Sequence, residues 1–164
     1  MQKWVISDHH FGHENIIEYS KRPFKNVDQM DEYMIQQHNN TVKERDKVYI
    51  LGDFALCHRM RIEQIAAQLN GYLILILGNH DRRRGYKQWL QIGFNEVYKE
   101  PIILKSNLIL SHEPLMINKD CQFRNIHGHL HNYVLDVKRY MNVSVETTDY
   151  KPINLDELIK TVSP

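Results

Sequence analysis

The sequence predicts an α/β fold in which strands and helices form layers around a mixed sheet or a pair of sheets. In the N-terminal half, short apolar runs of strand length alternate with segments whose apolar residues recur at helical spacing. In the C-terminal half, nearly all apolar runs have the length of strands. The 164 residues contain no internal repeat and no linker rich in Pro, Gly and Ser, so we expect one domain over residues 1–164.

The strands are predicted from short apolar runs that are rich in β-branched residues. In chain order, these runs are Lys3–Ser7, Lys47–Leu51, Tyr72–Leu77, Glu96–Leu104, Asn107–Leu110, Arg124–Ile126 and Tyr140–Val145. Between two of the runs, the polar residues Lys105, Ser106 and Asn107 predict a tight hairpin turn.

Two longer helices and three short ones are predicted between the strands. The first long helix follows from apolar residues at positions 27, 30, 34 and 35, and Asp28 is its expected N-cap. The second follows from apolar residues at positions 62, 65, 66 and 69, and Asn70–Gly71 is its expected end. The short helices are expected at Glu14–Tyr19, Gly85–Ile92 and Leu155–Lys160.

The composition excludes several classes of protein. Hydrophobic residues at 42% and charged residues at 25% exclude a disordered tail and a collagen-like chain. The net charge of +1 gives no reason to expect strong nucleic-acid binding. Cys57 and Cys121 are too few for a disulfide framework or a thiolate metal cage. Because the longest apolar run, Leu73–Leu77, cannot cross a membrane and the first residues do not resemble a signal peptide, we expect a cytoplasmic protein.

Histidine residues are frequent, and most of them lie close to one another in the sequence. The chain has ten histidines, and eight of them lie in short clusters. Five predicted strands run directly into residues that carry oxygen or imidazole groups, at positions 8–10, 52–53, 78–81, 111–113 and 127–131. In open α/β sheets, ligands bind beyond the carboxyl ends of the strands. If these strand ends are neighbours, their side chains converge on one site.

The residue types at the strand ends are those of a metal site. Two Asp, one Asn and four His offer oxygen and nitrogen but no sulfur, which suits Mn, Fe, Zn, Co or Ni, whereas Mg and Ca prefer oxygen alone. Seven candidates exceed the ligands that one zinc takes from a protein, but they fit two ions that share one carboxylate. Such a pair of ions can hold the attacking and leaving oxygens of an in-line displacement at phosphorus.

The order of these motifs resembles that of the calcineurin-like metallophosphoesterases. The five parts of the family signature read here as Asp8-His9-His10, Gly52-Asp53, Gly78-Asn79-His80-Asp81, His112 and Gly128-His129-Leu130-His131. Residues 7–15 are also similar to the small members without a cap domain that occur in bacteria and their phages. The resemblance implies a four-layer α-β-β-α sandwich with mixed sheets and a metal site at the carboxyl ends of the strands.

The resemblance further implies a role for each matched residue. The implied ligands are, for the first ion, Asp8, His10 and His131, and for the second ion, Asn79, His112 and His129. Asp53 would bridge both ions, and His80 would face the phosphate and protonate the leaving group. A hydroxide that bridges the ions would be the nucleophile. The implied cofactors are two divalent transition-metal ions, with manganese first and Fe, Zn, Ni or Co as alternatives.

Three residues beside the motifs are further candidates. Asp81 is expected either to orient His80 during catalysis or to cap the helix that follows. His13 is expected to contact the substrate from the first loop or simply to lie near the helix start. Arg82 begins a run of three arginines that would neutralise substrate charge or form a solvated surface. Weaker candidates for the same contact are Lys21, Arg22 and Arg124.

The other four histidines are not expected to bind metal. His9 should point away from the ligands on either side of it, because side chains alternate along an extended segment. His127 is expected to support the fold or the ligands. His38 and His58 fall in predicted helices, where we expect solvated surface positions.

Two other classes of protein compete with a phosphoesterase of this family. The tripeptide Asp8-His9-His10 also occurs in the DHH phosphoesterases, but those chains have a longer two-domain body and no counterpart of Gly128–His131. The second alternative is a metal-binding scaffold without activity. The presence of every ligand and of His80 argues against it.

The expected substrate is a small phosphate ester. The segment Gly52–Cys57 departs from the motif of the Ser/Thr protein phosphatases. The chain also lacks the accessory domain with which longer nucleases of the family hold duplex DNA. We therefore expect hydrolysis of a phosphodiester such as a small or cyclic nucleotide first, and of small phosphomonoesters second. No membrane partner is expected, and the oligomeric state is left open.

Overall fold

The computed structural model describes residues 1–161, which contain nine strands and five helices. The strands are β1 (Lys3–Ile6), β2 (Lys47–Ile50), β3 (Tyr72–Ile76), β4 (Glu96–Tyr98), β5 (Ile102–Leu104), β6 (Leu108–Leu110), β7 (Arg124–His127), β8 (Tyr140–Asn142) and β9 (Ile153–Asn154). The helices are α1 (Asn15–Tyr19), α2 (Val27–Thr41), α3 (Arg59–Ala66), α4 (Tyr86–Ile92) and α5 (Leu155–Thr161), and short 3₁₀ turns lie at Asp81–Arg84 and Val145–Thr147. None of the helices in this part of the chain is long and apolar enough to cross a membrane.

The strands form two mixed sheets. The first has the order β4-β3-β2-β1-β9, in which β9 runs antiparallel to β1 and the other strands are parallel. The second has the order β5-β6-β7-β8, in which β5 runs antiparallel to β6 and the others are parallel. Ile6 is paired with Ile50, and Ile50 with Leu75, so three parallel strands end at the same level. The α/β sandwich with mixed sheets, expected from the sequence, is confirmed.

Both faces of the first sheet are buried, which explains why its strands are continuous apolar runs. Ile6 and Ile50 pack against the helices α1–α4, whereas Val5 and Tyr49 pack against the second sheet. Side chains alternate between the two faces because successive strand residues point in opposite directions. Each large apolar side chain removed from water contributes about 1.5–3 kcal/mol to folding.

The two sheets are joined where β1 ends. The Ser7 N–H donates to Val143 O at 2.9 Å, and the Val145 N–H donates to Ser7 O at 3.0 Å. The Ser7 hydroxyl donates to Leu51 O at 2.7 Å, which ties this junction to the end of β2. The carboxyl ends of strands from both sheets therefore meet along one edge.

The hairpin between β5 and β6 is confirmed, but the single strand expected at Glu96–Leu104 is wrong. That segment is split, because β4 pairs with β3 in the first sheet and β5 pairs with β6 in the second. Pro101 lies between the two strands, and proline has no N–H to donate to a ladder. In the hairpin turn, Ser106 and Asn107 have φ of 63° and 57°, which tight β-hairpins require.

Two other local expectations need correction. The N-cap of α2 is Asn26 and not Asp28, because the Asn26 side chain accepts a hydrogen bond from the Gln29 N–H at 2.9 Å. That contact satisfies one of the N–H groups left free in the first turn. The sequence prediction also missed β9, whose two residues are too few to show a periodic pattern.

His38 is a core residue, so the surface position expected for it is wrong. Its side chain lies in α2 and is 1% exposed, and its Nε2–H donates to Asn70 O at 2.8 Å. Burial lowers the pKa of His38 to about 4, although the hydrogen bond to Asn70 opposes the effect. His58 is exposed as expected, immediately before α3.

Candidate metal centre

The polar residues after five strands meet at the edge shared by the two sheets. They follow β1, β2, β3, β6 and β7 along the chain. Donor atoms form three overlapping groups, and within each group all the donor atoms lie within 4.8 Å of one another. The groups are Asp8, His10 and His131; His10, Asp53 and His80; and Asp53, His112 and His129. Side chains from both sheets and from distant parts of the sequence therefore converge on one place.

Asn79 joins the third group at metal-ligand spacing. Its Oδ1 lies 2.9 Å from His112 Nε2 and 3.1 Å from His129 Nδ1, and those two nitrogens are 3.1 Å apart. Neighbouring ligand atoms of an octahedral ion with bonds of about 2.1 Å are about 3 Å apart. The His112 Nδ1–H donates to Leu51 O at 2.8 Å, so Nε2 is the ring nitrogen that faces the Asn79 oxygen. A cation between these acceptors would satisfy all three.

The first group contains buried polar atoms that no protein group satisfies. Asp8 Oδ1 and His10 Nε2 are buried, and neither has a hydrogen-bond partner among residues 1–161. The other oxygen of Asp8 accepts from the His129 N–H and from the Ser144 hydroxyl, both at 2.8 Å. Burial lowers the pKa of His10 far below its ordinary value, and the nearby Arg22 adds to this effect. A neutral imidazole is the form that binds metal.

Asp53 lies between the two groups of donors. Its Oδ2 is 3.6 Å from His10 Nε2 and 3.5 Å from His112 Nε2. Its Oδ1 accepts the His80 N–H at 3.0 Å, which leaves Oδ2 as the oxygen that faces both groups. Burial raises the pKa of Asp53, and the neighbouring charge of Asp8 acts in the same direction, while His112 opposes it. A shared carboxylate in this position fits a pair of ions.

The backbone is strained at most of the candidate ligands. Five of the seven have positive φ although none is glycine: Asp8 at 60°, His10 at 52°, Asp53 at 49°, His129 at 68° and His131 at 47°. A non-glycine residue in this region costs roughly 1–2 kcal/mol. Such strain concentrates at functional sites, where the rest of the fold imposes it.

Two glycines allow the strand ends to approach one another. A Cβ on Gly78 would overlap the carboxylate and the backbone nitrogen of Asp53. A Cβ on Gly128 would overlap Asp8 Oδ2 and the Ser7 side chain. The glycines of the Gly-Asn-His-Asp and Gly-His-x-His motifs are therefore explained by close packing against candidate ligands.

Asp81 lies beneath the centre and matches neither expectation for it. The residue is fully buried, and its carboxylate accepts backbone N–H groups of Asp53 at 2.7 Å, Gly78 at 2.9 Å and Phe54 at 3.1 Å. No hydrogen bond joins it to the His80 ring or caps the following turn among the described residues. Burial, assisted by the charge of Asp53, raises the pKa of Asp81 to about 7. Asp81 therefore positions the loop that carries Asp53.

His80 lies at the mouth of the centre. Its Nε2 is 3.8 Å from Asp53 Oδ2, and 33% of its side chain is exposed. Its ring contacts the ring of His10 edge-on at 5.3 Å and lies 6.5 Å from the ring of His13. All three rings line a cavity of about 500 Å³. Arg82 is exposed and lines a separate cavity of about 170 Å³ that also borders His112.

Glu146 is a part of the centre that the sequence analysis missed. It lies in the 3₁₀ turn after β8, and its Oε1 accepts from the His131 Nδ1–H at 2.9 Å. The same oxygen accepts from Arg22 Nε at 2.9 Å and from Arg22 Nη2 at 2.7 Å. Burial alone would raise the pKa of Glu146, but the bond from His131 and the charge of Arg22 lower it overall. Since carboxylates commonly orient metal-binding histidines, Glu146 is placed to orient His131.

Arg22 is a buried structural residue, so the substrate contact considered for it is wrong. Its side chain is fully buried beside Glu146. It donates to the backbone oxygens of Asp8 and His9, each at 2.7 Å. Arg124 is engaged elsewhere, donating to Ser106 O at 3.0 Å and to Ile159 O at 3.1 Å.

His9 and His127 are buried outside the donor groups. The ring of His9 stacks on Phe11 with centroids 5.0 Å apart and meets Phe54 edge-on. The His127 Nδ1–H donates to Gly128 O at 2.8 Å. Burial lowers the pKa of both rings. Their neutral rings pack against the segments that carry the ligands.

Comparisons with known proteins agree with this arrangement. The family model of the calcineurin-like phosphoesterases matches residues 1–162. An uncharacterized protein of Methanocaldococcus jannaschii is 35% identical, over 97% of this chain and 90% of that protein. The crystal structure of a protein of unknown function from Aquifex aeolicus is similar with a TM-score of 0.77 and 30% identity, over 97% of this chain and 98% of that one.

Proposed function

Since the chain belongs to the calcineurin-like phosphoesterase family, we propose that it is a phosphoesterase that depends on two divalent metal ions and prefers small phosphodiesters. The observation that carries the proposal is the position of Asp53 Oδ2, within 3.6 Å of imidazole nitrogens from both donor groups. A structural metal site needs one closed set of four ligands, whereas two sets that share an oxygen are suited to catalysis.

The two ions have separate ligand sets in this proposal. The ligands are Asp8, His10 and His131 for the first ion, Asn79, His112 and His129 for the second, and Asp53 for both. Bound there, the ions would polarise a phosphoryl oxygen and lower the pKa of water. Manganese is the first candidate, and Fe, Zn, Ni and Co fit the same mixture of oxygen and nitrogen ligands.

His80 is proposed to donate a proton to the leaving oxygen. Its ring is partly exposed to the cavity, while its backbone N–H is fixed by Asp53 Oδ1 at 3.0 Å. That bond holds the ring near the centre, where its Nε2 lies 3.8 Å from Asp53 Oδ2. His13, which lines the same cavity, is proposed to contact the substrate, and Arg82 to attract its charge from the neighbouring cavity.

The side chains around the cavity that His10, His13 and His80 line support a diester over a monoester. Among the described residues that line it, the polar groups are histidines, Ser20, Asn132 and tyrosine hydroxyls, with no lysine or arginine. A phosphomonoester carries a charge of about −1.5 to −2 at neutral pH, whereas a diester carries a single charge. The smaller charge needs fewer cationic partners. A monoesterase is the second candidate, supported by Arg82 at the neighbouring cavity.

The test is a substrate panel with the purified full-length protein. Turnover of 2′,3′- and 3′,5′-cyclic nucleotides, bis-p-nitrophenyl phosphate and p-nitrophenyl phosphate is measured with Mn²⁺ and after chelation. We expect activity that chelation abolishes and that is higher on the diesters. Faster turnover of the monoester would reverse the proposed preference. No metal-dependent turnover of any ester would favour a metal-binding scaffold.

A further inference from the structure

Two exposed tyrosines border the cavity beside the metal centre. Tyr19 is 72% exposed and Tyr133 is 66% exposed, and both line the cavity of about 500 Å³ that also contains His10 and His80. The other Phe, Tyr and Trp side chains in the described part of the chain are at most 38% exposed. The two most exposed of these side chains in residues 1–161 therefore stand at one place, next to the groups proposed to act on phosphate.

The segments that carry these tyrosines are tied to each other. Tyr19 is the last residue of α1, and the next residue, Ser20, accepts a hydrogen bond from Asn132 Nδ2 at 2.9 Å. Asn132 directly precedes Tyr133. The two segments that carry the tyrosines are thus held together.

The Tyr133 segment is also tied to the sheet and to a proposed metal ligand. Asn142 Nδ2 at the end of β8 donates to His131 O at 2.8 Å and to Tyr133 O at 2.9 Å. One side chain therefore fixes the backbone of the ligand and of the exposed ring. A group seated at Tyr133 would have a fixed position relative to a phosphate held at His131.

The lining of the cavity indicates a flat and uncharged partner. Ile16 and Leu130 add apolar surface beside the tyrosines, and no lysine or arginine of the described residues lines this cavity. Aromatic side chains bind nucleobases by stacking, because every base has a π-face. We propose that Tyr19 and Tyr133 form the binding site for the base of a nucleoside phosphate whose phosphoryl group lies at the histidines.

This base-binding subsite, formed by Tyr19 and Tyr133, rests on the proposed function for the position of the phosphate. Binding of the base to the two tyrosines can be tested separately. Adenosine has no phosphate to hydrolyse, so its binding reports the subsite alone. In saturation-transfer NMR with the full-length protein, the purine H2 and H8 protons should receive saturation. The signal should be lost in the variant Tyr19→Ala/Tyr133→Ala and retained in Asp53→Asn. Absence of the signal with the wild-type protein would overturn the proposal.

Kinetics give the second arm of the test. Each single alanine variant should raise KM for 3′,5′-cyclic AMP by about 5- to 100-fold with little change in kcat, in line with stacking of one base on one ring. KM for glycerol 1,2-cyclic phosphate, which has no base, should be unchanged. The phenylalanine variants should retain the wild-type KM, and Tyr98→Ala is a matched control because Tyr98 is 38% exposed and does not line this cavity.

The possible outcomes separate the subsite from the proposed function. Adenosine binding that needs both tyrosines, in a protein that hydrolyses no ester, would support the subsite and contradict the function. Hydrolysis with equal effects of the tyrosine variants on both cyclic diesters would support the function and overturn the subsite. A change of oligomeric state in the double variant, seen by size-exclusion chromatography, would instead assign the tyrosines to contact between copies and also overturn it.

Discussion

Replacing Glu146 with glutamine tests whether the carboxylate behind His131 supports the first metal site. Glu146 Oε1 accepts three N–H groups, one from His131 at 2.9 Å and two from Arg22 at 2.7 and 2.9 Å. Glutamine preserves the size and one oxygen but removes the charge. The Arg22 guanidinium, which is fully buried, would then lack its negative partner.

The expected losses follow from these contacts. Removing one partner of a buried ion pair destabilises a protein by about 3–5 kcal/mol, and the retained oxygen of glutamine favours the lower value. With a slope of about 1–3 kcal/mol per M, a loss of about 3 kcal/mol should lower the urea midpoint by roughly 1–3 M. Loss of the carboxylate that orients a metal-binding histidine lowers metal affinity by about 10- to 100-fold. Competition with a chromophoric chelator measures that affinity, and only one of two bound ions should weaken.

A second substitution separates the two effects. In Arg22→Met/Glu146→Gln, the unpaired cation is gone, so part of the lost stability should return. The metal affinity should stay low, because His131 still lacks its carboxylate. Glu18→Gln on the exposed side of α1 is the matched control and should change neither quantity. The reasoning is refuted if Glu146→Gln keeps wild-type metal affinity, or if the double variant regains it.

The remaining predictions concern the shared ligand, the proton donor, a close-packed glycine and a buried histidine. Asp53→Asn should abolish activity and reduce binding of both ions, because one oxygen faces both donor groups; metal analysis that finds two tightly bound ions would contradict this. His80→Asn should keep both ions but lower kcat by about 10²–10⁴-fold, and loss of an ion would identify His80 as a ligand instead. Gly128→Ala should weaken metal binding, since its Cβ would overlap Asp8 Oδ2, and unchanged chelator competition would disprove that overlap. His38 should make the free energy of unfolding depend on pH, because burial lowers its pKa to about 4 in the folded protein. Between about pH 6.5 and pH 4, only the unfolded chain binds the proton. The free energy of unfolding should therefore fall by up to about 3 kcal/mol by pH 4. In urea unfolding, His38→Gln should lose less stability than wild type over that pH range, and His58→Gln, at an exposed position, should behave as wild type. Equal pH dependence in all three proteins would contradict the role given to His38.

The sequence predicted the parts of the centre that depend on short stretches of chain. Each expected ligand lies within a few residues of a strand end, and strand ends are marked by apolar runs that stop at glycine or at polar residues. Asp8 and Asn79 could therefore be placed from local pattern and motif order. The fold class followed from the same alternation, because parallel strands require helices or long connections between them. The error at Glu96–Leu104 shows the limit of this reasoning, since apolar content does not reveal that a chain leaves one sheet for another.

The parts that the sequence could not reveal depend on contacts between distant segments. Arg22 and Glu146 are 124 residues apart, and neither belongs to a periodic pattern. Arg22 was considered for contact with the substrate, and only the fold shows the buried carboxylate that pairs with it. Tyr19 and Tyr133 are likewise unremarkable in the sequence, where the nine tyrosines are scattered. Both line one cavity, and the segments that carry them are joined by the hydrogen bond between Asn132 and Ser20.

The strained backbone gives an argument for function that does not depend on motif resemblance. In both the Asp-x-His and the His-x-His segments, the two candidate ligands have positive φ, while Leu130 and His9 between them do not. At roughly 1–2 kcal/mol for each strained residue, five such residues remove a large part of the 5–15 kcal/mol by which domains are usually stable. A glycine would relieve the strain, yet each position carries a polar side chain turned into the centre. Within these two segments, strain at the ligand positions and not between them is explained if the side chains, and not the turns, are what the fold preserves there.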